Sequence, residues 1–436
     1  MTSLFGRNNV CRAERYIHKI DRIYTMKFTK KKLSLALITG SIISAPFAMA
    51  DDAAFNSGIK KALTDSKVNV SLRARYEGVD EDGANGTTDK DATALTIKSR
   101  LTLQTGNYKK WSLGLEVDNV TAIVDDYNDL TFDYSGSDAV VADPEITDVN
   151  QAFLQYNSEK VKLTAGRQRI LHNNQRFIGG VGWRQNEQTY DGYRIEYTAS
   201  AALSLDYSYI YNANRIFGDD KKGDDLSGAF HFANAAYKIN TEHKISAFAY
   251  VLDFDRAHAM SSSTFGALYN GKFGAVSVNL SAAMQSDVGD NPVNYDANYY
   301  NAEIATDLGQ VTLLAGIEVL GSDNAKAAFS TPFATLHKFQ GFSDKFLNTG
   351  SSTGMPNGVE DTYITVKTKL AGVKLAATFH DLAANEGNID YGTELDLVAA
   401  YTFKKDYDLL VKFARYSADE LSTDTSKLWI QVATKF

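Results

Sequence analysis

Apolar and polar residues alternate with a period of two along most of the chain. In Val68-Asn69-Val70-Ser71-Leu72-Arg73-Ala74-Arg75-Tyr76 every even position is apolar and every odd one polar. The pattern recurs at Leu95, Ile97, Leu101 and Leu103, with Thr96, Lys98, Arg100 and Thr102 between them, and at Leu203, Leu205, Tyr207, Tyr209 and Tyr211. A period of two sends the two sets to opposite faces of a strand, and no helical period competes. Eighteen such segments are predicted: 68–76, 93–104, 111–119, 148–156, 160–166, 191–198, 203–211, 230–239, 244–252, 263–271, 275–284, 298–306, 310–320, 361–370, 373–381, 393–403, 407–416 and 427–436. Most approach the roughly 9–11 residues that carry a tilted strand across a bilayer. The connections alternate without exception, 2 to 6 residues on one rim and 10 to 40 on the other. Short turns on one side and long loops on the other are the arrangement of an up-and-down membrane barrel.

The two faces differ in chemistry. One carries Leu, Val, Tyr and small residues, which lipid accepts. The other carries Arg73, Arg75, Lys98, Arg100, Glu116, Asp118, Lys162, Arg194, Glu196, Glu303, Glu318, Lys367, Lys369, Lys374 and Asp396. An Arg or Lys on the lipid face costs about 2–4 kcal/mol at the midplane, so this face must turn away from lipid. Unpaired backbone groups are expensive in hydrocarbon, so a spanning sheet has to close on itself. The expectation is an all-β, transmembrane, up-and-down antiparallel β-barrel of 18 strands over residues 68–436, with short periplasmic turns and long extracellular loops. The 24 Tyr and 23 Phe suit interfacial girdles. Eighteen strands enclose more space than wall side chains fill, which predicts a channel.

Residues 1–50 read as an address. From Met26, four lysines precede the apolar run Leu33–Ile43, and Ala48-Met49-Ala50 offers small residues to a signal peptidase. Cleavage is expected after Ala50, with 1–25 a long leader or an upstream misassigned start, and 51–67 a periplasmic N-terminal segment. The leader holds the chain's single cysteine, Cys11, together with nine Lys/Arg and two Asp/Glu; the remainder is thiol-free with a net charge of about −15. That excludes disulfide scaffolds and thiolate metal centres and argues against nucleic acid as a partner. Past residue 50 no apolar run is long enough for a membrane helix.

The last segment places Leu428, Ile430, Val432, Thr434 and Phe436 on one face. A final strand ending in an aromatic residue resembles the assembly signal of Gram-negative outer-membrane barrels. This implies the barrel-assembly machinery as a partner, the cell outer membrane as location, and outer-membrane lipid and lipopolysaccharide as surroundings.

Two blocks break the alternation. Residues 167–194, within the run GRQRI…RFIGGVGWRQNEQTYDGYRI, hold five arginines, and residues 331–364 contain TPFATLHKFQGFSDKFL…NGVEDTYI. With these blocks the sequence resembles the alginate-export family of outer-membrane porins. The resemblance implies an eighteen-stranded monomeric pore, with a trimer as the general-porin alternative, whose arginines pass an anionic polyuronate. It places the constriction and solute-binding site at Arg167, Arg169, Arg176, Arg184 and Arg194, beside Trp183 and Gln185. Guanidinium forks bind carboxylates without titrating, and a ring of them favours anions while releasing them. The chain's overall acidity and the mixed signs on its inward face shift the expected cargo to small hydrophilic anions, sugar acids or oligo-uronates. A second reading of the same arginines is that they pin an inward-folded loop to wall carboxylates such as Glu116, Asp118 and Glu196. The longest connection, 321–360, is expected to fold inward as a partial plug through His337, Lys338, Gln340, Asp344 and Lys345.

Catalytic patterns are missing from the sequence. There is no H-E-x-x-H and no strand-to-helix G-x-S-x-G elbow, Gly350-Ser351-Ser352-Thr353-Gly354 spelling that motif only inside the long connection 321–360, and Gly179-Gly180-Val181-Gly182 lacks the third glycine of a dinucleotide loop. His172 and His337, one in each block, are expected to be solvated. No catalytic residue, cofactor or metal is predicted. The competing functions are a non-selective porin and, from another class, a barrel enzyme of lipase or protease type.

Overall fold

Each of the eighteen alternating segments forms a strand. The computed structural model describes residues 53–84, 87–132, 134–218 and 225–436; the expected leader, 1–50, lies outside the described residues. The strands are β1 (Lys67–Glu81), β2 (Lys90–Gln104), β3 (Trp111–Asp126), β4 (Ile146–Asn157), β5 (Val161–Gln168), β6 (Thr189–Thr198), β7 (Leu203–Asn214), β8 (Leu226–Lys238), β9 (His243–Phe254), β10 (Ser262–Phe273), β11 (Val276–Asp287), β12 (Asp296–Asp307) and β13 (Val311–Leu320). They continue, after the two-residue strands β14 (Ser322–Asp323) and β15 (Ala327–Ala328), with β16 (Val359–Leu370), β17 (Val373–Ala383), β18 (Asp390–Phe403), β19 (Tyr407–Ala418) and β20 (Thr425–Lys435). Antiparallel ladders join each long strand to the next, while β14 and β15 pair only with each other. β20 returns to β1, with Tyr76 opposite Ile430 and Leu72 opposite Thr434, so the sheet closes. Phe436 extends the seam by exchanging two backbone hydrogen bonds with Val70, of 2.8 and 3.1 Å. A helix, α1 (Ala53–Thr64), precedes β1; its Ala62 carbonyl accepts a 2.9 Å bond from Gly106 in the β2–β3 turn.

The register sorts the faces as the alternation requires. Val68, Leu113, Ile304, Ile364 and Leu370 are exposed on the outside, whereas Arg75, Glu77, Lys98, Glu116, Asp118 and Asp396 are buried inside. Several strands outrun their apolar segments at the long-loop end: β1 continues to Glu81 and β8 begins at Leu226. Above the lipid belt an outward position needs no apolar residue. Gly78 and Asp80 therefore occupy the phase of Tyr76 while the ladder continues. Connections still alternate, from 2 to 6 residues on one rim and from 6 to 38 on the other.

Two long connections turn into the lumen, residues 169–188 and residues 321–358. They meet at a parallel bridge between Ile178 and Phe333, where Gly179 N donates to Phe333 O at 2.8 Å and Thr335 N donates to Gln175 O at 3.0 Å. The approach is close enough that a Cβ on Gly179 would lie 2.4 Å from Thr335 Oγ1. Gly341, at φ +82°, is required twice over: its conformation is left-handed, and a Cβ would meet the Glu394 carboxylate at 2.4 Å.

The loops divide the interior into two halves. Over β8, β9 and β12, inward Phe230, Phe232, Phe248, Tyr250, Phe254 and Tyr299 pack with the loop residues Phe177, Phe329 and Phe333 into one buried cluster. The Phe333 ring lies 5.1 Å from Phe230, 5.5 Å from Phe254 and 5.7 Å from Tyr190. Each fully buried ring of this kind contributes roughly 1.5–3 kcal/mol. That half is sealed by hydrophobic burial. The other half, over β1–β4 and β16–β20, is lined by charged groups.

Candidate functional site

The charged half begins with two wall arginines that grip the tip of loop 169–188. Arg73 Nε donates to Gln185 Oε1 (2.8 Å), its Nη1 to Gly182 O (3.0 Å), and its Nη2 to Arg184 O. Arg75 Nη2 donates to Trp183 O at 2.5 Å, and its Nη1 lies 3.4 Å from Asp143 Oδ2. Gln185 completes the clasp, with N donating to Asp143 Oδ1 (2.7 Å) and Nε2 to Thr96 Oγ1 (2.8 Å). A planar five-donor fork reaches these acceptors from three separate nitrogens, whereas a lysine would have to serve them all from one.

Below the clasp lies an ion network. Arg100 binds Asp118 with Nε and Nη2, both at 2.6 Å, and donates Nη1 to Glu187 Oε1 at 3.1 Å. Arg169 donates Nε to Glu187 Oε2 at 2.7 Å and Nη2 to Glu116 Oε1 at 2.8 Å. Asn150 Nδ2 donates to both Glu116 Oε1 (2.7 Å) and Glu187 Oε2 (3.2 Å), and Lys98 Nζ pairs with Asp118 at 3.0 Å. Burial alone would push the Glu187 carboxyl up, but Arg169, Arg100 and Lys98 outweigh it and hold the group far below the usual carboxylate range.

Open space flanks this network. A cavity of about 600 Å³ reaches toward the short-turn rim and is lined by Arg73, Lys98, Arg100, Glu187, Lys405, Asp406, Asp408 and Lys435, among others. On the other side a space of about 10 Å³, room for a single water, lies among Asp118, Asp148, Asn150, Asn186, Glu187 and Arg215. Among the described residues, only Glu187 lines both.

The five arginines of the 167–194 block do not converge on one ring. Arg169 reaches the network. Arg184 is enclosed between Glu77 (3.1 Å) and Asp344 (2.8 Å); burial disfavours its charge, but these carboxylates more than compensate and raise its pKa. Arg176 is fully buried, with Nε on Glu318 (2.8 Å), Nη1 on Thr331 (3.0 Å), Nη2 on Gln340 (3.3 Å) and its plane over Phe339. Arg194 pairs with Asp206 on β7 at 2.5 Å. Arg167 lies on the outer face. It shares the phase of Leu163 and Ala165, stands opposite Ala152 and Asp191 in the ladder, and binds Asp191 at 2.9 Å. Trp183 stacks on His337, with ring centroids 4.7 Å apart, beneath the Arg75 guanidinium at 4.1 Å.

The residues of loop 321–358 all meet partners. Asp344 accepts from His337 Nδ1 (2.7 Å), Arg184 (2.8 Å) and Lys427 (3.0 Å). Burial works against its charge, yet Lys427, His337 and Arg184 keep it well below the ordinary range. Lys345 binds Glu81 at 3.0 Å, Lys338 donates to Asn174 O at 3.0 Å, and Gln340 donates to Glu318. His337 is buried, not solvated. Its Nε2 accepts from Lys412 at 2.8 Å, and burial together with that cation pushes its pKa down to about 3. His172 is buried too, between Tyr250 (3.1 Å) and Asp206 (3.4 Å). Both histidines lie inside because the loops that carry them turn into the lumen.

The sequence matches the profile of the alginate export family over residues 65–309. The chain belongs to the alginate export family. A comparison with curated protein sequences finds no match. Among solved structures, this alginate-export barrel is similar to Pseudomonas aeruginosa OpdK with vanillate (TM-score 0.65, 14% identity, covering 86% of this chain and 99% of that one). It is also similar to OccK3 (OpdO) of the same organism (0.64, 13%, 88% and 99%) and to its OpdQ (0.62, 15%, 86% and 99%). The family and the fold together make it a porin-type channel of the outer membrane.

Proposed function

We propose that this porin is a passive channel for small carboxylate-bearing solutes, sugar acids or short oligo-uronates, which cross the charged half of the lumen beside Arg73, Lys98, Arg100 and Arg169. The observation that carries the reading is the charge balance of the large cavity, where five basic side chains (Arg73, Lys98, Arg100, Lys405, Lys435) face three acidic ones (Glu187, Asp406, Asp408). Rows of fixed cations along a narrow passage attract anions, and paired cations hold them weakly enough for release. OpdK, of the same fold, has a structure with vanillate, an aromatic carboxylate. Within the arginine block the roles divide: Arg169 joins the ion network beside the passage, whereas Arg176 and Arg184 hold the two loops to each other and to the wall.

Reversal potential across a planar bilayer in a salt gradient tests this. Anion preference, with liposome swelling faster in uronates than in neutral sugars of equal size, is expected. Cation preference refutes it, and equal swelling in both would favour a non-selective porin. Ester or peptide hydrolysis without conductance would return the case to a barrel enzyme. We further propose a monomer, inserted by the assembly machinery through β20 and Phe436; Phe436→Ala should then lower the folded yield in the outer membrane.

A further inference from the structure

We infer that Glu187 is a built-in stand-in for the solute's carboxylate, occupying a binding site that Arg100, Arg169 and Asn150 would otherwise offer to the cargo. The inference rests on the anion-channel reading above.

The geometry separates Glu187 from the other acids of the network. Glu116 and Asp118 belong to β3 and cannot leave the wall. They already engage both arginines, Asp118 with two bonds to Arg100 and Glu116 with one to Arg169. Glu187 is a third carboxylate laid over those same cations from a loop, and it stands between the two open spaces. Its loop does not depend on it for anchorage. The main chain at 182–185 is held by Arg73, Arg75 and Asp143, so the Glu187 side chain can swing away while the backbone stays docked.

Such an arrangement solves a problem of passage. An empty cluster of arginines in a confined space would bind a carboxylate tightly and release it slowly. If an arriving carboxylate displaces Glu187, and Glu187 displaces the departing one, the positive charge that Glu116 and Asp118 leave unbalanced on Lys98, Arg100 and Arg169 always has a partner. Both halves of the exchange avoid the cost of an unpaired buried ion. A neutral sugar cannot take part, because it leaves Glu187 in place. The site therefore selects for a carboxylate by swapping like for like.

The test measures block of chloride current by D-glucuronate, with D-glucose as the neutral control, for the full-length wild type, Glu187→Gln and Glu187→Ala in planar bilayers. Removing the tethered competitor should lower the half-blocking concentration of glucuronate on the order of tenfold, the factor expected if the site is free only about a tenth of the time. Anion over cation permeability should rise in the same variants, and glucose should act equally on all three proteins. Unchanged or weaker glucuronate block in both variants, on an anion-selective wild type, would overturn the stand-in role and leave the channel reading intact. A cation-selective wild type that glucuronate does not block would overturn both.

Discussion

Replacing Arg176 by methionine should release the inward loops without unfolding the barrel. Arg176 ties loop 169–188 to β13 through Glu318 and to loop 321–358 through Thr331 and Gln340. Removing one partner of a buried ion pair costs about 3–5 kcal/mol, because the other charge is left uncompensated. Glu318 would keep two neutral donors, Tyr299 Oη at 2.7 Å and Gln340, which places the loss near the lower end. About 3 kcal/mol corresponds to a shift on the order of a hundredfold in the ratio of docked to undocked loop. The barrel ladders are untouched, so heat-modifiable mobility on gels should be that of the wild type. Single-channel records should show frequent brief rises in conductance, and loop 321–358 should become accessible to protease on intact cells. In Arg176→Met with Glu318→Leu both charges are gone, and much of the quiet baseline should return. A single variant as quiet as the wild type, or a double variant as noisy as the single one, would refute the account of Arg176 as the tie.

Phe333→Ala removes the ring at the centre of the aromatic seal and should cost about 3–5 kcal/mol of loop packing; the expected result is a larger mean conductance with unchanged ion preference, read in the same bilayers. Acid should loosen the plug. The docked loop keeps His337 neutral, with a pKa near 3, among Lys412, Arg184, Lys427 and Asp344, whereas an undocked loop protonates it near 6.5. The docked form then binds fewer protons. Its advantage is whole above pH 6.5 and shrinks by about 1.4 kcal/mol per unit as pH falls toward 3, so current noise should grow between pH 6 and pH 4, and identical traces at pH 7 and pH 4 would contradict this. Arg167→Ser should leave the reversal potential alone, since its side chain is on the outer face with Asp191, whereas Arg169→Ser should move it toward cations; a shift with Arg167→Ser would show that the register reading is wrong.

The barrel was legible because lipid and lumen demand opposite chemistry at successive positions, so each strand announced itself by its period. Boundaries were read short where that demand lapses, as at Gly78 and Asp80. The block at 167–194 was visible as charged and aperiodic, but aperiodic sequence carries no face. The alternation Leu163, Ala165 continues into Arg167 and assigns it outward. Arg73, Lys98 and Arg100 were readable as inward-facing, yet nothing local told that two of them would clasp or face a loop more than eighty residues away. Glu187 was hidden for a similar reason. Its importance comes from Arg100 on β2 and Arg169 at the loop's own start meeting over it, a coincidence of tertiary folding.

The clasp at the loop tip has a consequence for how such a channel can diversify. Arg73 and Arg75 hold Gly182, Trp183 and Arg184 by their carbonyl oxygens, which every amino acid possesses. That main-chain part of the fastening is indifferent to side chains, although Trp183 under Arg75 and Gln185 on Arg73 add side-chain contacts of their own. Residues that screen the cargo can drift from one descendant to another while the hinge that presents them stays shut.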